Sequence, residues 1–100
     1  MTKFIYLFKG PAADMSEEMG AAWGAWMGKV GSALVDEGAP FGEGAVVVDN
    51  GSTATPTNLS GYTIVEADSL EAAKALTQGN PLLSGNSGLL SIEIFELAQM

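Results

Sequence analysis

The segment LSGYTIVEADSLEAAKAL, residues 59–76, leads a strand straight into a capped helix, and the other elements must be arranged around that junction. Tyr62, Thr63, Ile64 and Val65 are β-branched or aromatic, the side chains that suit a pleated, packed surface. Asp68 or Ser69 can cap the helix, because a short side-chain oxygen accepts from the free N–H groups of a first helical turn. Asp68 and Glu71 also stand at capping-box spacing. Beyond them Leu70, Ala73 and Leu76, with Ala72, repeat at the helical period.

Upstream, KFIYLFK (residues 3–9) reads as a short strand with Phe4, Tyr6 and Phe8 on one side and Ile5 and Leu7 on the other. Both sides are apolar, so both are expected to be covered. Gly10-Pro11 ends it, and Asp14 or Ser16 opens a helix whose first turn places Glu17 and Glu18 against the positive end of the dipole. Met19, Trp23, Trp26, Val30 and Leu34 share one face of that helix, which the pattern carries to Gly38-Ala39-Pro40. A second stripe holds Gly20, Gly24 and Gly28, with Gly31 beside them. Each glycine costs about 0.5–1 kcal/mol against alanine in a helix interior, and close approach of another backbone is the preferred reading. Residues 45–48 are assigned to a second strand and the polar stretch DNGSTATPTNLSG, residues 49–61, to a hairpin connection; the stretch carries neither a phosphate loop nor a calcium loop. Gly79-Asn80-Pro81 closes the second helix. After an irregular passage, LLSIEIFEL (residues 89–97) forms the last strand, with Leu90, Ile92 and Ile94 facing one way and Ser91, Glu93, Phe95 and Leu97 the other.

The order β-α-β-β-α-β predicts an α+β, ferredoxin-like single domain over residues 1–100, with two helices on one face of a four-stranded antiparallel sheet. The opposite face then lacks a cover of its own, and a homodimer packed sheet against sheet is the expected solution. Composition limits the partners. Twelve carboxylates against four lysines give a net charge of −8, and the chain has no arginine, histidine or cysteine. Nucleic acid is not an expected partner, since phosphate binding needs a basic surface. No apolar run approaches the roughly 20 residues that span a bilayer. Without cysteine there is no thiolate chemistry, and a cytoplasmic location is the default.

GYTIVEADSLEAAKAL, then GNPLL and the terminal SIEIFEL, resemble the YCII-related domain family of the dimeric α/β-barrel superfamily. FIYLFKGP and SEEMGAAWGAWMGKVG are similar to that family's longer members. The resemblance covers nearly the whole chain; it implies a ferredoxin-like homodimer with a cleft beside the sheet, and says little about activity. Some relatives carry a histidine on the first helix and an aspartate before the proline that follows the second. This chain has no histidine, Asn80 precedes Pro81, and the Asp-Gly-Pro-Phe segment of longer relatives is missing, so no proton-transfer role carries over.

A general acid or base would have to be a carboxylate, lysine or tyrosine shifted by its surroundings. Glu66 and Glu93 lie within strand patterns and are the carboxylates to consider; Asp68 reads more simply as a cap. No metal site is expected, because neighbouring pairs such as Glu17-Glu18 and Asp36-Glu37 do not converge. No catalytic residue and no cofactor are assigned. Tyr6, Trp23, Trp26, Tyr62, Glu66 and Asn80 are the candidate contacts for a small apolar or aromatic ligand, against the plainer reading of the tryptophans as helix-on-sheet core. Two readings stay open: a non-catalytic homodimeric binding or accessory domain, which the missing histidine, cysteine and arginine favour, and a cofactor-free enzyme of isomerase, lyase or oxygenase type.

Overall fold

The computed structural model describes residues 1–10, 17–85 and 87–98. Four strands, β1 (Thr2–Lys9), β2 (Leu34–Asp36), β3 (Leu59–Ala67) and β4 (Ser91–Glu96), and two helices, α1 (Glu17–Val30) and α2 (Leu70–Ala75), follow in the order β1-α1-β2-β3-α2-β4. The strands form one sheet in the order β2-β3-β1-β4, and each neighbouring pair is antiparallel. The architecture is α+β and compatible with a ferredoxin-like fold. Asp14 and Ser16, the proposed caps of the first helix, lie outside the described residues.

Alternation in β1 divides the sheet into two unlike faces. Phe4, Tyr6 and Phe8 are buried with Val65 and Ala67 of β3 under Trp26 and Val30 of α1 and Ala73 of α2. Leu90, Ile92 and Ile94 pack against the same cluster. Both helices therefore lie over one face. At the other face Ile5, Leu7 and Ile64 are half-buried, and Phe95 is 51% exposed. Among the described residues neither helix lies over that second face.

The junction after β3 forms as expected, and Ser69 is its cap: the hydroxyl accepts from the Ala72 N–H at 3.1 Å. The region between α1 and β3 departs from expectation. Helix α1 ends at Val30 because Gly31 takes φ +58, the left-handed geometry that terminates helices at little cost to glycine. A single 3-10 turn comes next, and Leu34, expected on the helix face, starts β2. Residues 45–48 belong to no strand. Their valines suit a strand, but the pairing edge of β3 is already taken by residues 34–41. Leu34 and Asp36 pair with Val65 and Ile64, Pro40 bridges to Gly61, and the Phe41 N–H donates to the Ser60 carbonyl at 2.9 Å.

The stretch just after β2 is pinned to β3. The Tyr62 N–H donates to the Ala39 carbonyl at 3.3 Å, the Thr63 hydroxyl to the Glu37 carbonyl at 3.0 Å, and the Gly38 N–H to Asp36 Oδ1 at 2.8 Å. Gly38 has φ +74, and a Cβ there would sit 1.7 Å from the Tyr62 carbonyl oxygen, so only glycine fits. The connection from β2 to β3, residues 37–58, is thus longer than the predicted loop and is anchored where it leaves the sheet.

The glycine stripe of α1 does not make a close approach among the described residues. Gly20, Gly24 and Gly28 are exposed, and a Cβ on any of them would meet nothing within 4 Å.

Candidate functional site

The six sequence candidates divide between the two faces of the sheet. On the helix side, α2 is only six residues long, and its final turn tightens: the Thr77 N–H bonds the Lys74 carbonyl and the Gln78 N–H the Ala75 carbonyl. That tightening frees carbonyls which a longer helix would satisfy. Side chains from β1 and α1 meet them. The Tyr6 hydroxyl donates to the Ala73 carbonyl at 2.5 Å, Trp26 Nε1 to the Leu76 carbonyl at 3.0 Å, and Lys29 Nζ to the Gln78 carbonyl at 3.0 Å. Tyr6 and Trp26 are 0% and 2% exposed, with ring centroids 6.1 Å apart. Trp23, half-buried, stands edge-on to Phe8 at 5.2 Å and to Trp26 at 5.9 Å. Burial pushes the Tyr6 hydroxyl up to about 12, because desolvation disfavours the phenolate. At neutral pH it is a proton-bearing donor committed to a backbone carbonyl.

Asn80 is 2% exposed and caps the short turn at Pro81–Leu83: its Oδ1 accepts from the Leu82 N–H at 2.9 Å. Its Nδ2 is buried and has no hydrogen-bond partner among the described residues. Tyr6, Trp26 and Lys29 together form a clamp on the C-terminal end of α2, Asn80 fixes the turn after it, and Trp23 packs behind Trp26 and Phe8.

Tyr62 and Glu66 lie on the opposite, open face. Glu66 is half-buried opposite Lys3, and Glu93 is ion-paired with Lys9 at 2.8 Å. Tyr62 stands opposite Leu7, and Phe41 stacks on it with centroids 5.9 Å apart and planes 17° from parallel. The Tyr62 hydroxyl lies 3.4 Å from Asp36 Oδ2. Phe41 and Asp36 are the neighbours that sequence reasoning missed. Phe41 is the one aromatic residue between Trp26 and Tyr62, and that isolation was the available signal. Beside the stack, the long connection folds around an open hollow of about 470 Å³ lined by Phe41, Glu43, Ala45, Val46, Pro56 and Leu59 among others. The Gly51 N–H, bonded to the Val48 carbonyl at 2.9 Å, and the Ser52 N–H, bonded to Asn50 Oδ1 at 2.9 Å, turn the connection back toward β3.

Among the described residues no three histidine, cysteine or carboxylate side chains are grouped to hold a metal ion, and no helix is long and apolar enough to cross a membrane. Comparison with protein-family models, curated proteins and solved structures finds no match.

Proposed function

We propose that this chain is a YCII-related, cytoplasmic homodimer in which two sheets pack face to face as a dimeric α/β barrel, and that it binds a small apolar or aromatic molecule without turning it over. The observation that carries the reading is the open face. Ile5 lies between Ile64 and Phe95 across three strands, with Leu7 beside it. Contiguous apolar surface of this kind is the usual mark of an interface. A second copy buries it symmetrically, because a two-fold axis in the interface plane brings each face onto its twin. A non-catalytic role is supported by the residues available: the chain contains no histidine, cysteine or arginine, and the Tyr6 proton is held by burial.

Light scattering over a dilution series tests the assembly. A mass of two chains that falls to one in Ile5→Lys supports it, because a lysine at the centre of each face must be desolvated on association. A monomer at every concentration overturns it. The binding half is tested by tryptophan fluorescence with uncharged aromatic compounds at millimolar concentration; no change with any of them counts against it.

A further inference from the structure

We infer that the open hollow formed by the β2–β3 connection, and not the tryptophan cluster, is the ligand site, and that it selects a cation: a primary ammonium group attached to an apolar or aromatic body. The inference rests on the small-molecule reading above and names its place and charge. The hollow, at about 470 Å³, lies within the roughly 300–1,000 Å³ usual for small-ligand sites. Its walls are largely apolar, from Phe41, Ala45, Val46, Pro56 and Leu59, with Thr57 beside them, and Glu43 is the single charged residue lining it among the described residues. Trp26, by contrast, has no room to spare: it is 2% exposed and its N–H is committed.

The sign of the charge is set by where the lysines are. None occurs between Lys29 and Lys74, whereas Asp36, Glu37, Glu43 and Asp49 all fall on or beside the connection. Lys9, across from Leu59, is held by Glu93 at 2.8 Å. An anion entering the hollow would meet the Glu43 carboxylate in its wall and no lysine there, whereas an ammonium would be attracted by that carboxylate. Phe41, which lines the hollow, adds an aromatic ring to which a cation is drawn. The same hollow therefore accepts the apolar body and discriminates on the head group.

Two probes with the same phenyl body and opposite charge test this: 2-phenylethylammonium and 3-phenylpropionate, titrated into the full chain at low salt and followed by amide and indole N–H shifts. The ammonium probe should move the amides of residues 41–46 and 57–59, and should bind at least about fivefold tighter than the carboxylate. Glu43→Gln, an exposed and near-isosteric change, should weaken it by up to about fivefold and reduce its salt dependence. Phe41→Leu should weaken both probes. Equal response to both charges, or an effect of the ammonium probe unaltered in Glu43→Gln, overturns the inference. Shifts confined to the Trp23 and Trp26 indoles overturn this site but leave a small-molecule binder. No shift with either probe overturns the site, and the fluorescence screen with uncharged compounds then decides the broader reading by itself.

Discussion

Replacing Tyr6 with phenylalanine isolates one hydrogen bond in the clamp on α2. The ring remains, so the contact with Trp26 at 6.1 Å is kept and no ring-sized cavity opens. What is lost is the donor to the Ala73 carbonyl, in a residue that is 0% exposed. A typical intramolecular hydrogen bond contributes about 0.5–1.5 kcal/mol, and a buried acceptor left without a partner costs about 1–3 kcal/mol. Because the shortened end of α2 offers that carbonyl no N–H, the upper part of the range applies, and we expect a loss of about 2 kcal/mol. With a urea m-value of about 1–2 kcal/mol/M for a small protein, the midpoint should fall by about 1–2 M. The comparison must be made at fixed chain concentration, since a homodimer's stability depends on it.

The same substitution has a pH signature that a packing defect would lack. Tyr6 titrates near 10.0 when unfolded and at about 12 when folded. Between those values the unfolded chain has released the proton that the folded chain keeps, so stability must fall as pH rises, by about 1.4 kcal/mol per pH unit. Below pH 10 both states are protonated and the contribution is constant. Tyr6→Phe should therefore be flatter than the parent from pH 10 to 12 and parallel to it below. A midpoint change worth less than about 0.5 kcal/mol, or an alkaline slope equal to the parent's, would refute the assignment of Tyr6 as a clamp.

Gly38→Ala should destabilise by about 2 kcal/mol or more, since the added Cβ meets the Tyr62 carbonyl 1.7 Å away in a left-handed backbone; urea unfolding measures the loss, and loosening of the Phe41–Tyr62 stack should appear in the near-ultraviolet circular dichroism. Gly24→Ala should act in the opposite direction, adding about 0.5–1 kcal/mol, because a Cβ there meets nothing and the helix gains propensity. Urea unfolding measures the gain, and a destabilising Gly24→Ala would refute the open surroundings of the stripe.

The sequence states the elements built from strong local signals and misses the one built by competition. The β3–α2 junction is legible because β-branched residues, a capping serine and a helical stripe all agree, which is the consistency that makes a local assignment hold. The two faces of β1 are legible only in part: a strand puts Phe4, Tyr6 and Phe8 on one side, but Ile5 and Leu7 make the other side apolar too, so the pattern does not say which side the helices cover. β2 is not legible. Leu34 continues the helical spacing of Trp26 and Val30, and residues 45–48 look more like a strand than residues 34–36 do. The outcome turns on two glycines: Gly31 ends the helix early, and Gly38 lets the next residues run against Tyr62. Once residues 34–41 occupy the edge of β3, residues 45–48 have nothing to pair with and are left in the connection.

That single displacement also decides where a ligand can go. Aromatic residues marked the candidate contacts in the sequence, but an aromatic residue with a polar atom is drawn equally to a backbone group that needs a partner. The short α2 supplies such groups, and Tyr6 and Trp26 are spent on them. Tyr62, on the other face, meets no helix, and its ring remains available to Phe41. The hollow exists because residues with a strand pattern were crowded off the sheet edge and had to fold around something else. Ala45 and Val46 of that strand pattern form part of its apolar wall, beside Phe41, Pro56 and Leu59. If Gly38→Ala releases the connection from β3, the hollow and the Phe41 stack should be lost together while the clamp on α2 persists. Tryptophan fluorescence would then stay near that of the parent as the response of residues 41–46 to the ammonium probe disappears.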